Sequence, residues 1–423
     1  MFYGDGSYII GNTHNAIPTL TQRLLSSTNP AFVGGGAPLS KVKFAADGTL
    51  TGGAITSSTQ GFGTASDGQF QLVNGLDING QYSVGQGTHN ALAGVGPGIL
   101  LDGQGACVQD CIVHGFKGNA VSARLLGFKV LNNTVYGAYT GITGTSDSCF
   151  IGNTVFNCRD YGLYIPSLAG NVYSAHNHYY GCNPDDDTTT SAAAYIGSSC
   201  VYCNFTDDRF ADSIVGVKNV YGQGISFVNC YWQHNTLYDL FLTGATGCQL
   251  TNCNISCMRS STQYGANGKY GIWCESGSDR FTMQGGSINL ATFATGITPN
   301  GYATCAIFGA DYCSMDNVSL TDEAAINGSK AIVLSGARSG FRAKGIKITG
   351  FEGTTSRVLV AASAPQDIDC EFHGEFVDLT NPGTEDVSGI KKYIDIAAGW
   401  TGSIKLIKGS TGATVSLTPG TAY

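Results

Sequence analysis

Ionisable side chains are scarce in this sequence, and where they occur they bunch. Asp, Glu, Lys and Arg make up 12% of its 423 residues, about half of ordinary usage. Yet Arg159, Asp160, Asp207, Asp208, Arg209, His234 and Arg259 fall in one stretch, with the run Asp185-Asp186-Asp187 among them. Neighbouring carboxyls suit glycosidic hydrolysis, which needs one protonated acid and one ionised base or nucleophile. Like charges side by side raise one pKa and so divide the two roles. Asp207, Asp208 and Asp160 are the candidate acids of this patch. Arg159, Arg209 and Arg259 suit the carboxylates of acidic sugars. His234 would orient a carboxylate, or act as the base of a β-elimination. The competing reading is an Asp/Arg network that only satisfies turn backbones.

A second constellation is Ile-Trp-Cys-Glu at 272–275. An alternation that buries Ile272 and Cys274 turns Trp273 and Glu275 outward, a flat ring beside a carboxyl that would form a sugar subsite, with Glu275 a further candidate catalytic residue. Contact between subunits is the alternative use of such a pair. Asp311, Asp322, Glu323, Asp367, Asp369, Glu371 and Glu375 sit in segments of weaker pattern. No Gly-rich stretch fits a nucleotide-binding loop followed by a helix.

Residues this far apart in sequence meet only if a repeating element stacks them. A pattern of apolar, any, Asn/Asp/Cys, any, apolar recurs with central positions 110, 133, 153, 177, 203, 229 and 253. A period in the low twenties marks a solenoid. The two-residue alternation inside each match marks strands. Second strands follow at 162–165, 239–242, 271–274, 305–308 and 331–334. Third strands precede the next match at 148–151, 247–250 and 279–283. Three short strands and three turns per period predict an all-β fold, a parallel β-helix.

In such a stack, coils lie about 4.8 Å apart and like faces form columns. Apolar columns fill the interior, and Asn columns bond up and down the stack. Three residues past each centre come Tyr136, Phe156, Tyr180, Thr206 and Trp232. With the apolar neighbour inside, these point out, so Tyr180 and Trp232 are candidate sugar platforms alongside Trp273. On the same count Asp160 and Asp208 lie two coils apart, about 9–10 Å, at the upper edge of the inverting separation. The alternative is that these rings pack under a loop or against another subunit.

The rest of the composition removes other classes. Net charge is −8 with no Lys/Arg cluster, which argues against a nucleic-acid partner. No apolar run reaches membrane-spanning length, so membrane insertion is not expected. The opening MFYGDGSYIIGN lacks the basic and apolar regions of a signal peptide. Fifteen cysteines are an odd number and lack paired zinc spacings. They read as buried, reduced members of interior columns, with no metal and no cofactor. The expected organisation is an N-terminal cap or neck at 1–64 with one helix at 17–27, a β-helix at 65–378, and a C-terminal β unit at 379–423 for trimerisation or capping.

The coil motifs GNTVFNCRDYGLYI (152–165) and FVNCYWQHNTLYDLFL (227–242) resemble bacteriophage tailspikes and, more broadly, pectate-lyase-like β-helix enzymes. The resemblance is one of architecture over roughly 70–378, and no catalytic signature is matched. It implies a right-handed helix and a homotrimer assembled in the bacterial cytoplasm, carried on the virion beside phage tail or baseplate proteins. It also implies binding, and usually cleavage, of a capsular or O-antigen polysaccharide of the bacterial surface. The expected activity is hydrolysis by paired carboxylates. A lyase acting on a uronate-containing glycan and a non-enzymatic adhesin are the alternatives.

Overall fold

The computed structural model describes residues 7–10, 31–33, 40–44, 55–56, 72–79, 97–101, 104–182, 191–258, 269–291, 303–323, 328–336, 339–351, 356–361, 363, 367–376 and 393–423. Every regular element among them is a β-strand. The fold is a right-handed parallel β-helix: the repeat predicts the parallel coiling, and the tailspike resemblance implies the hand. The chain divides into two compact units, Met1–Ile214 and Val215–Tyr423.

In the first unit the coils build three parallel ladders, with the first and second strands continuous in Ile112–Ala123 and Thr134–Thr143. Thr154–Phe156 pairs in register with Thr134–Thr143 on one side and His178–Tyr180 on the other. Tyr161–Ile165 pairs with Ala192–Ile196. Cys149–Ile151 pairs with Lys129–Leu131 and Tyr173–Ala175. In the short strands of the first and third ladders the middle residue points inward, as Val130, Phe150, Val155, Tyr179, Phe205 and Phe210 show. Apolar rings and branched chains therefore fill the bore, which is where burial stabilises most.

Two turn columns sit side by side between the third strand and the first. The outer column takes a left-handed backbone at Asp110, Asn132, Gly152, His176 and Asp207, with φ between 52° and 69°. Asn, Asp and Gly suit that conformation. The inner column holds Asn133, Asn153, Asn177 and Asp208, all buried. Their side chains form a continuous ladder. Asn133 Oδ1 accepts from the Cys111 backbone N–H at 2.9 Å, Asn153 Oδ1 from Asn133 N, and Asn177 Oδ1 from Asn153 N at 2.8 Å. Each amide Nδ2 donates to the next Oδ1 and to a third-strand carbonyl of the preceding coil, at Val108, Val130 and Phe150. Each amide of this ladder is thus paired on both sides, which is what makes a polar column tolerable in a dry bore.

The second unit repeats the plan with a different filling. Val215–Val220, Tyr238–Thr243, Lys269–Cys274, Ala303–Phe308 and Lys330–Leu334 run parallel in register. In the inner turn column Cys230 and Cys253 replace Asn and are buried. All fifteen cysteines are free thiols, and all but Cys107 and Cys149 are buried. No disulfide and no knot crosses the coils.

Parallel coiling extends beyond 65–378 at both ends. Ser40–Phe44 pairs parallel with Ser7–Ile10 and with Leu76–Asn79. Ile394–Ile396 and Gly402–Lys408 pair parallel with Arg357–Ala361 and Ile368–Gly374. Thr414–Ser416 then folds back antiparallel on Gly402–Lys408. That reversal occupies a strand edge that another chain would otherwise pair with. The helix expected at 17–27 lies outside the described residues.

Asp208 ends the amide ladder with a carboxyl, accepting from Asn177 N at 2.7 Å and Asn177 Nδ2 at 2.9 Å. Burial pushes it up to about 7, against hydrogen bonds from Ser174 and Asn177 that pull the other way. An unfolded Asp ionises near 4. Between those values the unfolded chain has released this proton and the folded chain has kept it, so raising the pH through the window destabilises the fold. Asp208→Asn keeps the acceptor and extends the ladder with a neutral amide. We expect the variant to match the parent at pH 4 and to exceed it by up to roughly 4 kcal/mol above pH 7. Urea unfolding across pH 4–8 reads this directly, and a constant difference between the two proteins would contradict it.

Candidate functional site

The second strands of the second unit carry a cluster of outward aromatic rings. Tyr238–Thr243 and Lys269–Cys274 share a local motif, Tyr238-Asp-Leu-Phe241 and Tyr270-Gly-Ile-Trp273. The two middle residues of each are buried, while the flanking rings are half-exposed. Registry sets Tyr238 opposite Tyr270 and Phe241 opposite Trp273, with Lys218 opposite Phe241 on the preceding strand. Tyr238 stacks on Phe241 at 4.8 Å and on Tyr270 at 5.6 Å. Trp273 stands edge-on to Tyr270 at 4.7 Å and to Tyr238 at 5.3 Å. The rings thus brace one another with faces in two orientations, a favourable geometry for aromatic pairs.

Polar groups edge this cluster. Glu275 follows the Trp273 strand, and the Thr243 hydroxyl donates to its Oε2 at 2.8 Å. Lys218 Nζ lies over the Phe241 ring, 5.8 Å from its centre. Burial lowers the Lys218 pKa, and the Glu275 carboxylate opposes that shift. Burial, then Tyr270 and Glu275, pushes the Tyr238 phenol up to about 12, so it remains a hydrogen-bond donor. Flat apolar faces, phenols, an amine and a carboxylate within one surface are the groups that sugar recognition uses. The outward direction expected for Trp273 and Glu275 agrees with this placement. Tyr238, Phe241, Tyr270, Lys218 and Thr243 escaped the sequence reading, although the repeated Tyr-x-x-ring spacing was there to find them.

The first unit carries two outward ring groups of its own. His114, Tyr136, Phe156 and Tyr180 stack at 4.6, 4.9 and 5.1 Å along the first strands. Tyr136, Phe156 and Tyr180 therefore form the outward column expected of them. On the second strands Tyr161, Tyr164 and Tyr195 cluster within 5.5 Å of one another. Arg159 covers the Tyr139 ring at 5.9 Å. Asp160 precedes the Tyr161 strand and is half-buried.

The structure corrects several expected roles. Trp232 has no exposed surface and meets Phe227 edge-on at 5.3 Å inside the bore. It is the middle residue of Tyr231–Gln233, because Cys230, not Asn229, occupies the inner turn column. A one-residue slip turns a strand's faces over, and a ring so placed touches no glycan. Thr206 belongs to a third strand, Asn204–Thr206, and so leaves the outward column. Asp208 is 1% exposed and points into the amide ladder. Asp207 occupies the left-handed outer turn, 3.7 Å from His176. The adjacent pair therefore diverges and makes no acid–base dyad. The cause is the turn itself: as at Asn132 and Asn133, the first residue takes the outer corner and the second the inner ladder. His234 likewise holds a left-handed corner, with Gln233 Nε2 2.8 Å from its Nε2. Arg209 is exposed opposite His178, on the strand beside Tyr180. Arg259 and the aspartates at 185–187 lie outside the described residues.

Among the described residues, no group of three or more His, Cys, Asp or Glu is arranged to hold a metal ion, and no helix is long and apolar enough to cross a membrane. No protein-family model matches the chain, and no curated protein matches it. Solved structures do. The N-terminal fragment of gene product 12 of bacteriophage phi29 aligns over 98% of this chain and 68% of that one, with TM-score 0.55 and 11% identity. PfbA, a surface adhesin of Streptococcus pneumoniae, aligns over 95% and 89% with TM-score 0.47 and 7% identity. The catalytic domain of a GH87 alpha-1,3-glucanase in complex with nigerose aligns over 83% and 67% with TM-score 0.45 and 10% identity. At these identities what is shared is the fold.

Trp232 and Trp273 separate bore from surface. Trp232→Ala opens a cavity and is expected to cost about 3–5 kcal/mol of stability. Trp273→Ala is expected to cost less than half of that. Denaturant unfolding of the two variants checks the order, and a larger loss for Trp273→Ala would reverse the assigned faces.

Proposed function

We propose that this protein binds a bacterial surface polysaccharide on the outward ring cluster of the second unit and cleaves it by hydrolysis, as the spike of a phage virion. The observation that carries the reading is the joint placement of Tyr238, Phe241, Tyr270 and Trp273 with Glu275 and Lys218 on one face. Rings held by strand registry are rigid, so they lose little entropy when a sugar stacks on them. Glu275 is the carboxyl assigned to chemistry at this face, its rotamer held by Thr243. Lys218 is placed to attract an acidic sugar. The Tyr136, Phe156 and Tyr180 column, with Arg209 nearby, offers the first unit a further run of stacking faces.

The phage setting rests on the coil motifs that resemble tailspikes. A homotrimer joined to tail or baseplate proteins belongs to that same reading. A binding-only spike is the second reading. It is favoured by the inward turn of Asp208, which removes the carboxylate expected to partner another acid.

The test is incubation with capsular and O-antigen polysaccharides from a bacterial panel, with retention and product masses measured together. Hydrolysis predicts bound glycan and new reducing-end fragments. Trp273→Ala should weaken retention roughly tenfold. Glu275→Gln should keep retention and abolish fragments. Ultraviolet-absorbing unsaturated ends would replace hydrolysis with elimination, and retention without fragments would establish the binding-only reading. No retention of any glycan, or retention indifferent to Trp273→Ala, overturns the site.

A further inference from the structure

Inside the second unit, beneath the ring cluster, one coil departs from its neighbours. The position after the first ring of the second-strand motif carries no charge in the other registered coils: it is Ala, Cys or Val in five of them and glycine in four, Gly141 and Gly162 in the first unit and Gly216 and Gly271 in the second. Each lies against backbone or packed side chains. A Cβ at Gly271 would meet the Cys305 carbonyl at 2.5 Å, and one at Gly162 the Ala193 carbonyl at 2.6 Å. Asp239 stands at this position in its coil, with none of its surface exposed. A carboxyl placed in a dry bore is costly unless something there uses it.

Three buried groups converge on it. Asn235 Nδ2 donates to Asp239 Oδ1 at 2.9 Å. Lys269 Nζ lies 3.4 Å from Asp239 Oδ2, with its side chain 2% exposed. Cys257 Sγ donates to the same oxygen at 2.9 Å. Lys269 Nζ also donates to the Asn235 backbone carbonyl. One carboxyl therefore holds an amine on one oxygen and a carboxamide on the other, and the amine already touches the residue that owns the carboxamide. Gly216 of the preceding coil closes the site, since a Cβ there would meet the Asp239 carbonyl at 2.5 Å and Asn235 Nδ2 at 2.8 Å.

We propose that Lys269 and Asn235 join in an autocatalytic isopeptide bond, with Asp239 as the proton-transfer group. Asp239 takes a proton from the Lys269 ammonium, leaving a neutral amine. Nζ attacks Asn235 Cγ, and the new N–C bond forms. Asp239 passes its proton to Nδ2 and receives the second proton of Nζ. The C–Nδ2 bond breaks and ammonia leaves, so the products are a secondary amide, ammonia and a neutral Asp239. No oxidant, metal or co-reactant enters. Exclusion of water favours the step twice, by making the separated charges costly and by shielding the amide from hydrolysis. Burial raises the Asp239 pKa, with Lys269, Cys257 and Asn235 opposing, which suits a carboxyl that must hold a proton during the exchange.

The bond would close a covalent loop between positions 34 residues apart. It would tie the turn that leads into the strand of Tyr238 and Phe241 to the start of the strand of Tyr270 and Trp273. This gives the surface a fixed base, whether or not that surface binds sugar.

Intact mass spectrometry of the full chain, purified and then denatured, tests the proposal. The expected mass is one ammonia below the sequence mass, with a branched peptide joining Asn235 to Lys269 after digestion. Asp239→Asn and Lys269→Met should each restore the unlinked mass, allowing for the substitution, with folding checked by circular dichroism. A parent protein at its full sequence mass overturns the proposal. A protein one water lighter, with the branch at Asp239, overturns the assignment to Asn235.

Discussion

A buried carboxamide in a parallel stack has to find its partners directly above and below it. Asn133, Asn153 and Asn177 meet that requirement only when their coils are in register, because each Oδ1 accepts from the backbone and amide of its neighbour. Sliding a coil by one residue would leave amides unpaired in a dry bore, at about 1–3 kcal/mol for each. The same slip would also turn the apolar middle residues outward. Registry is thus held twice, by polar pairing in the turn and by burial in the strands. Everything on the outer surface inherits its direction from that constraint.

This explains which parts of the molecule can be read from sequence. Solenoid, strand number and interior thiols follow from local pattern, since Asn133, Asn153 and Asn177 recur at nearly even spacing. The difficulty is that two adjacent columns use the same residue types for different reasons. The inner one needs a side chain that bonds along the stack, and the outer one needs a backbone with positive φ. Asn229 and Asp110 belong to the outer column, so alignment on them displaces Trp232 by one position and puts a core ring on the surface. Past Asn177 the eye settles on Cys203, whereas the ladder continues at Asp208. Trp273 and Glu275 escape both errors because their direction follows from buried neighbours within the same strand.

The chemistry divides along the same line. Carboxyls that sequence spacing groups as a catalytic pair are separated by the turn: Asp208 becomes the end of a ladder and Asp207 a corner. The carboxyls with unusual settings lie elsewhere. Glu275 stands on the ring-bearing face, and Asp239 stands in the bore where the aligned coils have uncharged residues. Asp239 was invisible to a search for exposed acids, because its meaning comes from the uncharged residues aligned with it and from Lys269, 30 residues later in the chain and next to it in space.

The central claim is that registry alone decides which rings are presented and which are packed. Hydroxyl-radical footprinting of the native protein reads that decision residue by residue. The account predicts fast oxidation at Trp273 and Tyr270 and little at Trp232, with the difference lost on denaturation. Equal or faster oxidation at Trp232 would show that the coils are stacked in another register, and the outward face would have to be drawn again.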